Sequence, residues 1–185
     1  MKLNLGCGQN KLPGYVNVDA FAACGPDVVH DLEVTPWPWE TSSVEEIVMN
    51  HSLEHMGATT EGFFAIIKEL YRVSKVDARI VIHVPHPRHD SYLTDPTHVR
   101  PITPMLFGLL SKKNNLIWKE NRVSNTPLAL YLDVDFEVVE ANQILDPFYG
   151  ELMNQGKMSV AEIELAIREK NNVLVEYQIT LRVVK

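Results

Sequence analysis

Two glycines and two aspartates near the N-terminus have the types and spacing of a nucleotide site. Gly6-Cys7-Gly8 follows the apolar run Leu3-Asn4-Leu5, Asp19 ends Val16-Asn17-Val18, and Asp31 follows Val28-Val29-His30. Glycines let a backbone approach a ligand closely, and a carboxylate at a strand end can hold the hydroxyl pair of a ribose. Cys7 reads as a packing residue, because no helix follows closely enough to lower its pKa. A second stretch rich in chemistry is Pro85–Pro101, where His86, His89, His98, Asp90, Asp95, Arg88 and Arg100 stand among four prolines that restrict the backbone. A histidine with an ordinary pKa can take a proton at neutral pH, and an arginine can bind a carboxylate or phosphate. His86, His89 and His98 are therefore the candidate general bases. Arg88, Asp95 and Arg100 are the candidate substrate-binding residues.

Metal ligation is the competing reading of these histidines. His51 and His55 are four apart, a spacing that puts two ligands on one helical face, but His51-Ser52-Leu53-Glu54-His55 is not His-Glu-x-x-His. His86, His89, Asp95 and His98 match no metal signature either. No metal is expected.

Short elements must position these residues. Leu3–Leu5, Tyr15–Val18, Val28-Val29, Glu46–Met49 and Arg79–Val84 are apolar runs that close on polar, glycine or proline residues, the pattern of buried parallel strands with function at their C-terminal ends. Pro85–Pro101 follows the fifth of them. One helix runs from Thr59 or Thr60 to Val73, with Phe63, Ile66, Ile67, Leu70 and Val73 at helical spacing. A second starts at Thr103-Pro104 and reaches about Lys113, and a third opens on the capping box Ser159-Val160-Ala161-Glu162. Phe136–Glu140 reads as a strand. Val173, Val175, Tyr177, Ile179, Leu181 and Val183 alternate with polar residues, which predicts an antiparallel strand with one wet face. Asn114–Asp135 yields no element, and Trp37-Pro38-Trp39 sits in the loop before the fourth strand.

The chain has 185 residues, 45% of them hydrophobic and 22% charged. That size and balance predict a single domain over 1–185 and exclude low-complexity disorder. Lys+Arg number 17 against 24 Asp+Glu, so a duplex nucleic-acid partner is not expected. The two cysteines build no disulfide framework, and neither a membrane span nor a signal peptide is visible, so the expected compartment is the cytoplasm.

In order along the chain, Leu3-Asn4-Leu5-Gly6-Cys7-Gly8, Val16-Asn17-Val18-Asp19, Val29-His30-Asp31-Leu32 and His51-Ser52-Leu53-Glu54-His55 resemble the class I S-adenosylmethionine-dependent methyltransferases. The branch that resembles them is type 11 with its small relatives. The resemblance implies a doubly wound, mostly parallel Rossmann-like α/β sheet with an antiparallel strand at the C-terminal end. It also implies S-adenosylmethionine as cofactor and methyl transfer to a small polar acceptor, with a non-catalytic cofactor-binding module as the alternative. Gly6 and Gly8 would lie under the methionine moiety and Asp19 would hold the ribose. Asp31 and Leu32 would meet the adenine, and Asn50 and His51 would line the pocket of the sulfonium. This sequence departs from the family at Asn4, where an acid is usual, and at Asn10, where a third glycine is usual. Only ten residues separate Gly8 from Asp19, too few for a loop and a full helix, and the chain starts at its first strand. The expected version is thus minimal, lacks an N-terminal helix, and has an open cofactor edge closed by the 85–101 loop or by a homodimer partner.

Overall fold

Alternation of apolar and polar side chains along the strands decides which way the sheet faces. The computed structural model describes residues 1–185. Seven strands form one sheet: β1 (Lys2–Leu5), β2 (Val16–Asp19), β3 (Val28–Val29), β4 (Val44–Asn50), β5 (Ser74–Pro85), β6 (Phe136–Leu145) and β7 (Leu174–Val183), in the order β3-β2-β1-β4-β5-β7-β6. The first five pair in parallel, and β7 runs antiparallel to both β5 and β6. This is the mixed Rossmann-like α/β sheet expected from the sequence, including its antiparallel strand.

Register places Leu3, Ile47, Ile80 and Leu181 in one row across four strands, and Met49, Ile82 and Ile179 in the next. All of these are at most 1% exposed. Helix α1 (Thr60–Val73) adds Phe63, Ile66, Ile67, Leu70 and Val73 to the same core. The opposite face carries Val48, Asn50, Val81, His83 and Gln178, all half-buried. Burial is therefore one-sided along β4 and β5, into which the wet face predicted for β7 extends, whereas on β1 and β2 the same face carries Asn4 and Asn17, buried and hydrogen-bonded to each other at 2.9 Å. The connections from β1 to β2 and from β2 to β3 contain no α-helix, only a 3₁₀ turn at Ala22–Cys24.

Local signals account for most boundaries. The Thr59 side chain accepts from the Gly62 N–H at the start of α1. The chain then enters β5 directly at Ser74, earlier than the apolar run suggests. Short helix α2 (Asp90–Leu93) follows β5. The helix expected over 103–113 is two, α3 (Pro104–Leu109) and α4 (Lys112–Glu120), because Ser111 accepts from the Asn114 N–H and starts a new helix. The segment without a sequence reading holds the end of α4 and α5 (Leu128–Leu132). Helix α6 (Pro147–Asn154) escaped the sequence reading although Asp146-Pro147 is a cap followed by proline at the first helical position. The Ser159 capping box opens α7 (Val160–Glu169) as expected. No helix is long and apolar enough to cross a membrane.

Candidate active site

Parallel strands end their backbones together, so loops distant in sequence meet at one edge. At the C-terminal ends of β1, β2 and β4 they enclose a cleft of about 330 Å³ whose lining includes Gly6, Gly8, Asp19, Asp31, Leu32 and His51. Six of the seven residues expected to touch a cofactor thus share one cavity. Asn50 does not join them. It lines a separate cavity with Asn4, Asn10 and His83, because successive strand residues face opposite sides of the pleat. His51 reaches the cleft with a left-handed backbone, φ 49°.

The two glycines do different work. Gly6 has φ 68°, and a Cβ there would stand 2.5 Å from Ser52 Cβ, so this glycine lets β1 pack against the turn after β4. At Gly8, φ is 49° and a Cβ would meet nothing within 4 Å, so its bareness faces open space in the cleft. Asp19 locks the loop: Oδ2 accepts from the Gly8 N–H at 2.8 Å and Oδ1 from the Phe21 N–H at 2.8 Å. Asp31 Oδ1 accepts from the Glu33 N–H at 2.9 Å. Leu32 is held from behind, its carbonyl accepting from Trp37 Nε1 at 2.9 Å.

The structure adds cleft residues that the sequence does not assign to the cofactor: Ala20, His30, Glu33, Ser52, His55 and Met56. His30 and Glu33 flank Asp31 and Leu32, so proximity in sequence was a usable signal. Glu33 is fixed by the Gly57 N–H at 2.9 Å. His51 Nε2 is 2.8 Å from Glu176 Oε2 on β7, and Nδ1 is 3.4 Å from Glu54 Oε1. Glu54 first, and then Glu176, hold the His51 pKa above its ordinary value against the opposing effect of burial.

No protein-family model matches the sequence, and no curated protein does either. Solved structures do match by shape. An S-adenosylmethionine-dependent methyltransferase from Archaeoglobus fulgidus superposes with a TM-score of 0.61 at 16% identity, covering 98% of this chain and 85% of that one. The fold is that of the class I methyltransferases. A Burkholderia thailandensis 1,6-didemethyltoxoflavin-N1-methyltransferase with bound S-adenosylhomocysteine gives 0.51 at 11% identity, over 100% and 71% of the two chains. The [4+2]-cyclase SpnF gives 0.55 at 12%, over 99% and 75%.

On this methyltransferase fold, the 85–101 segment is not one site. His86 and His89 do not reach the cleft. His86 packs on Tyr177 with ring centroids 4.9 Å apart, and its Nδ1 accepts from the Arg88 N–H at 3.2 Å. Burial, then the charges of Arg88 and His89, push its pKa down. His89 caps α2, its Nδ1 accepting from the Ser91 N–H at 3.0 Å while Nε2 faces Asp146 Oδ2 at 3.2 Å. Its lone pair and its proton are both engaged inside the protein. Arg88 turns to the end of α7 and donates to the carbonyls of Ile167, Arg168 and Lys170. Arg100 donates to the Gly57 carbonyl at 3.0 Å and lies over the Phe63 ring at 4.5 Å. Both arginines expected to bind substrate are occupied by backbone carbonyls. Asp95 accepts from the backbone and side chain of Thr97. Only His98 approaches the cleft, with its ring centroid 4.6 Å from that of His55.

A guanidinium on the last carbonyls of a helix satisfies orphan acceptors and complements the dipole. Arg88→Ala should therefore lower stability by about 1–2 kcal/mol and leave cofactor affinity unchanged. Urea denaturation paired with ligand titration checks both parts. A loss of affinity with intact stability would return Arg88 to a binding role.

Proposed function

We propose that the protein transfers a methyl group from S-adenosylmethionine to a small polar acceptor. The observation that carries this reading is the charge of the cleft. Asp19, Asp31 and Glu33 line it, and no lysine or arginine does. S-adenosylmethionine is cationic at its sulfonium and ammonium groups, and such walls suit it. A nicotinamide dinucleotide would bring two phosphates to the same carboxylates. Its pyrophosphate also wants a helix N-terminus after the glycine loop, and the β1–β2 connection has no helix.

Gly6 and Gly8 would hold the methionine moiety, Asp19 the ribose, and Asp31 with Leu32 the adenine. The cofactor supplies an activated methyl carbon, so the chain needs alignment and water exclusion more than a strong catalyst. The acceptor would enter on the side of His51, His55 and His98. The Burkholderia methyltransferase, with S-adenosylhomocysteine bound on the same fold, supports the cofactor assignment.

The test starts with binding. S-adenosylhomocysteine at a hundredfold its Kd should stabilise the protein by about 2.7 kcal/mol, read as a rise in Tm, and NAD should not. Stabilisation by NAD alone would refute the reading. A second reading, cofactor binding without methyl transfer, is favoured by the likeness to a [4+2]-cyclase, because one fold hosts several chemistries. Transfer of labelled methyl to a panel of small hydroxyl, amine and carboxylate acceptors separates the two.

A further inference from the structure

We propose that Glu54, His55 and His98 form a binding site for one divalent cation of the zinc or cobalt type, at the edge of the cleft. The 3₁₀ turn Leu53–His55 follows β4 and presents Glu54 and His55 side by side. The loop carrying His98 docks on this turn, with the Val99 N–H donating to the Glu54 carbonyl at 2.9 Å. Each of the three side chains offers one ligand atom, and the three atoms lie within 4.8 Å of one another. The cluster differs from both sequence groupings: His55 pairs with a carboxylate beside it and a histidine 43 residues on, and His51 stands outside it.

Glu54 points independently to a cation. Its side chain is 1% exposed, and neither carboxylate oxygen has a hydrogen-bond partner. His51 Nδ1 forms an ion pair with Oε1 at 3.4 Å, outside hydrogen-bond alignment, and Oε2 has neither an ionic nor a hydrogen-bond partner. A buried carboxylate left in that state is costly, and a bound cation removes the cost.

Both histidines are already set as ligands. His98 Nδ1 donates to the Tyr92 carbonyl at 2.8 Å, and its ring stacks on Tyr92. His55 Nδ1 lies 2.9 Å from Thr97 Oγ1, whose own proton goes to Asp95 Oδ1 at 2.6 Å. Each Nδ1 is therefore the protonated nitrogen and each Nε2 carries the lone pair, that of His98 lying 3.9 Å from Asp95 Oδ2. Oxygen acceptors behind the rings are what orients metal-bound imidazoles and raises their basicity. Two imidazoles and one carboxylate suit zinc, cobalt or iron(II) better than magnesium or calcium, which prefer oxygen shells. Three protein ligands leave a position open to an exchangeable group. His55 also lines the cleft. On the methyltransferase reading, that position would take an oxygen or nitrogen of the acceptor and ease its deprotonation.

The test uses the full chain, freed of metal by a chelator, with Co²⁺ or Zn²⁺ alone as probe and no cofactor. Calorimetry should give one saturable site per chain, and Co²⁺ should develop visible absorption bands. Glu54→Gln and His98→Ala should each abolish saturation. Thr97→Val should weaken it by about 10–100-fold, and His86→Ala should leave it unchanged. If Glu54→Gln fails to fold, His98→Ala and Thr97→Val still decide. Absence of saturable binding to the unaltered chain overturns the proposal, as does unchanged affinity in folded His98→Ala protein. Cobalt binding without S-adenosylhomocysteine binding would sink the cofactor reading alone, and the reverse result would sink the cation site alone.

Discussion

Asp19→Ala should weaken S-adenosylhomocysteine binding by about a hundredfold, equivalent to roughly 2.7 kcal/mol. Two effects combine. The carboxylate would lose charge-assisted hydrogen bonds to the ligand, each worth about 1.5–3 kcal/mol. It would also release the Gly8 and Phe21 N–H groups, each now held at 2.8 Å. The glycine loop then has to order itself when ligand arrives, at an entropic cost. Asp19→Asn keeps the shape and one acceptor oxygen, so its loss should be smaller. Isothermal titration of both variants, with circular dichroism to confirm folding, measures this. Wild-type affinity in folded Asp19→Ala protein would remove Asp19 from the site and take the ribose assignment with it.

Glu69→Ala should destabilise the fold by about 2–3 kcal/mol, below the range for a fully buried ion pair because the Arg72 side chain is 30% exposed. Glu69 is 7% exposed. Its carboxylate accepts from Arg72 Nε and an Arg72 terminal nitrogen, both at 2.7 Å, and from the Trp37 N–H at 2.6 Å. Arg72 in turn donates to the Trp37 and Trp39 carbonyls. The pair fastens the 37–39 loop to α1, and Trp37 passes the constraint to Leu32 in the cleft. The variant should therefore bind cofactor more weakly as well.

The same pair predicts an acid limb. The Arg72 hydrogen bonds, foremost, and the Trp37 N–H hold the Glu69 pKa below its ordinary value, while burial opposes them. A carboxylate whose folded pKa is depressed contributes its stability in full above the unfolded value. The contribution is lost as pH falls through the folded value. Wild-type stability should accordingly drop from about pH 5 downward, and the gap between wild type and Glu69→Gln should narrow over the same range. Urea midpoints at several pH values read this directly. A gap that stays constant into acid would mean that Glu69 is not ionised in the folded state.

Part of this architecture is written locally in the sequence. Alternation in Val173–Val183 announces a half-wet strand, because a pleat sends successive side chains to opposite faces. Thr59 and Ser159 announce helix starts, because their side chains satisfy N–H groups in the first turn. Gly8, Asp19 and Asp31 announce the edge that carries the cleft, because each follows or closes a short strand run and parallel strands end on one side. These signals lie within a few residues of the structure they specify.

What the sequence leaves open is set by partners far along the chain. The divergence of Asn50 and His51 into different cavities depends on the pleat at the last residue of β4 and on a left-handed backbone at His51. The 85–101 loop looks like one cluster of acids, bases and cations. Its parts are drawn in different directions by the carbonyls ending α7, by Asp146, by Gly57 and by the turn at Glu54. Arg88 and Arg100 are the clearest case. Sequence shows their charge, and only the packed fold brings them the carbonyls that engage it. Glu54 is the converse, a carboxylate whose sequence gives no sign of burial and whose buried oxygens, neither of them hydrogen-bonded, follow from where β4 ends and the returning loop lies over it.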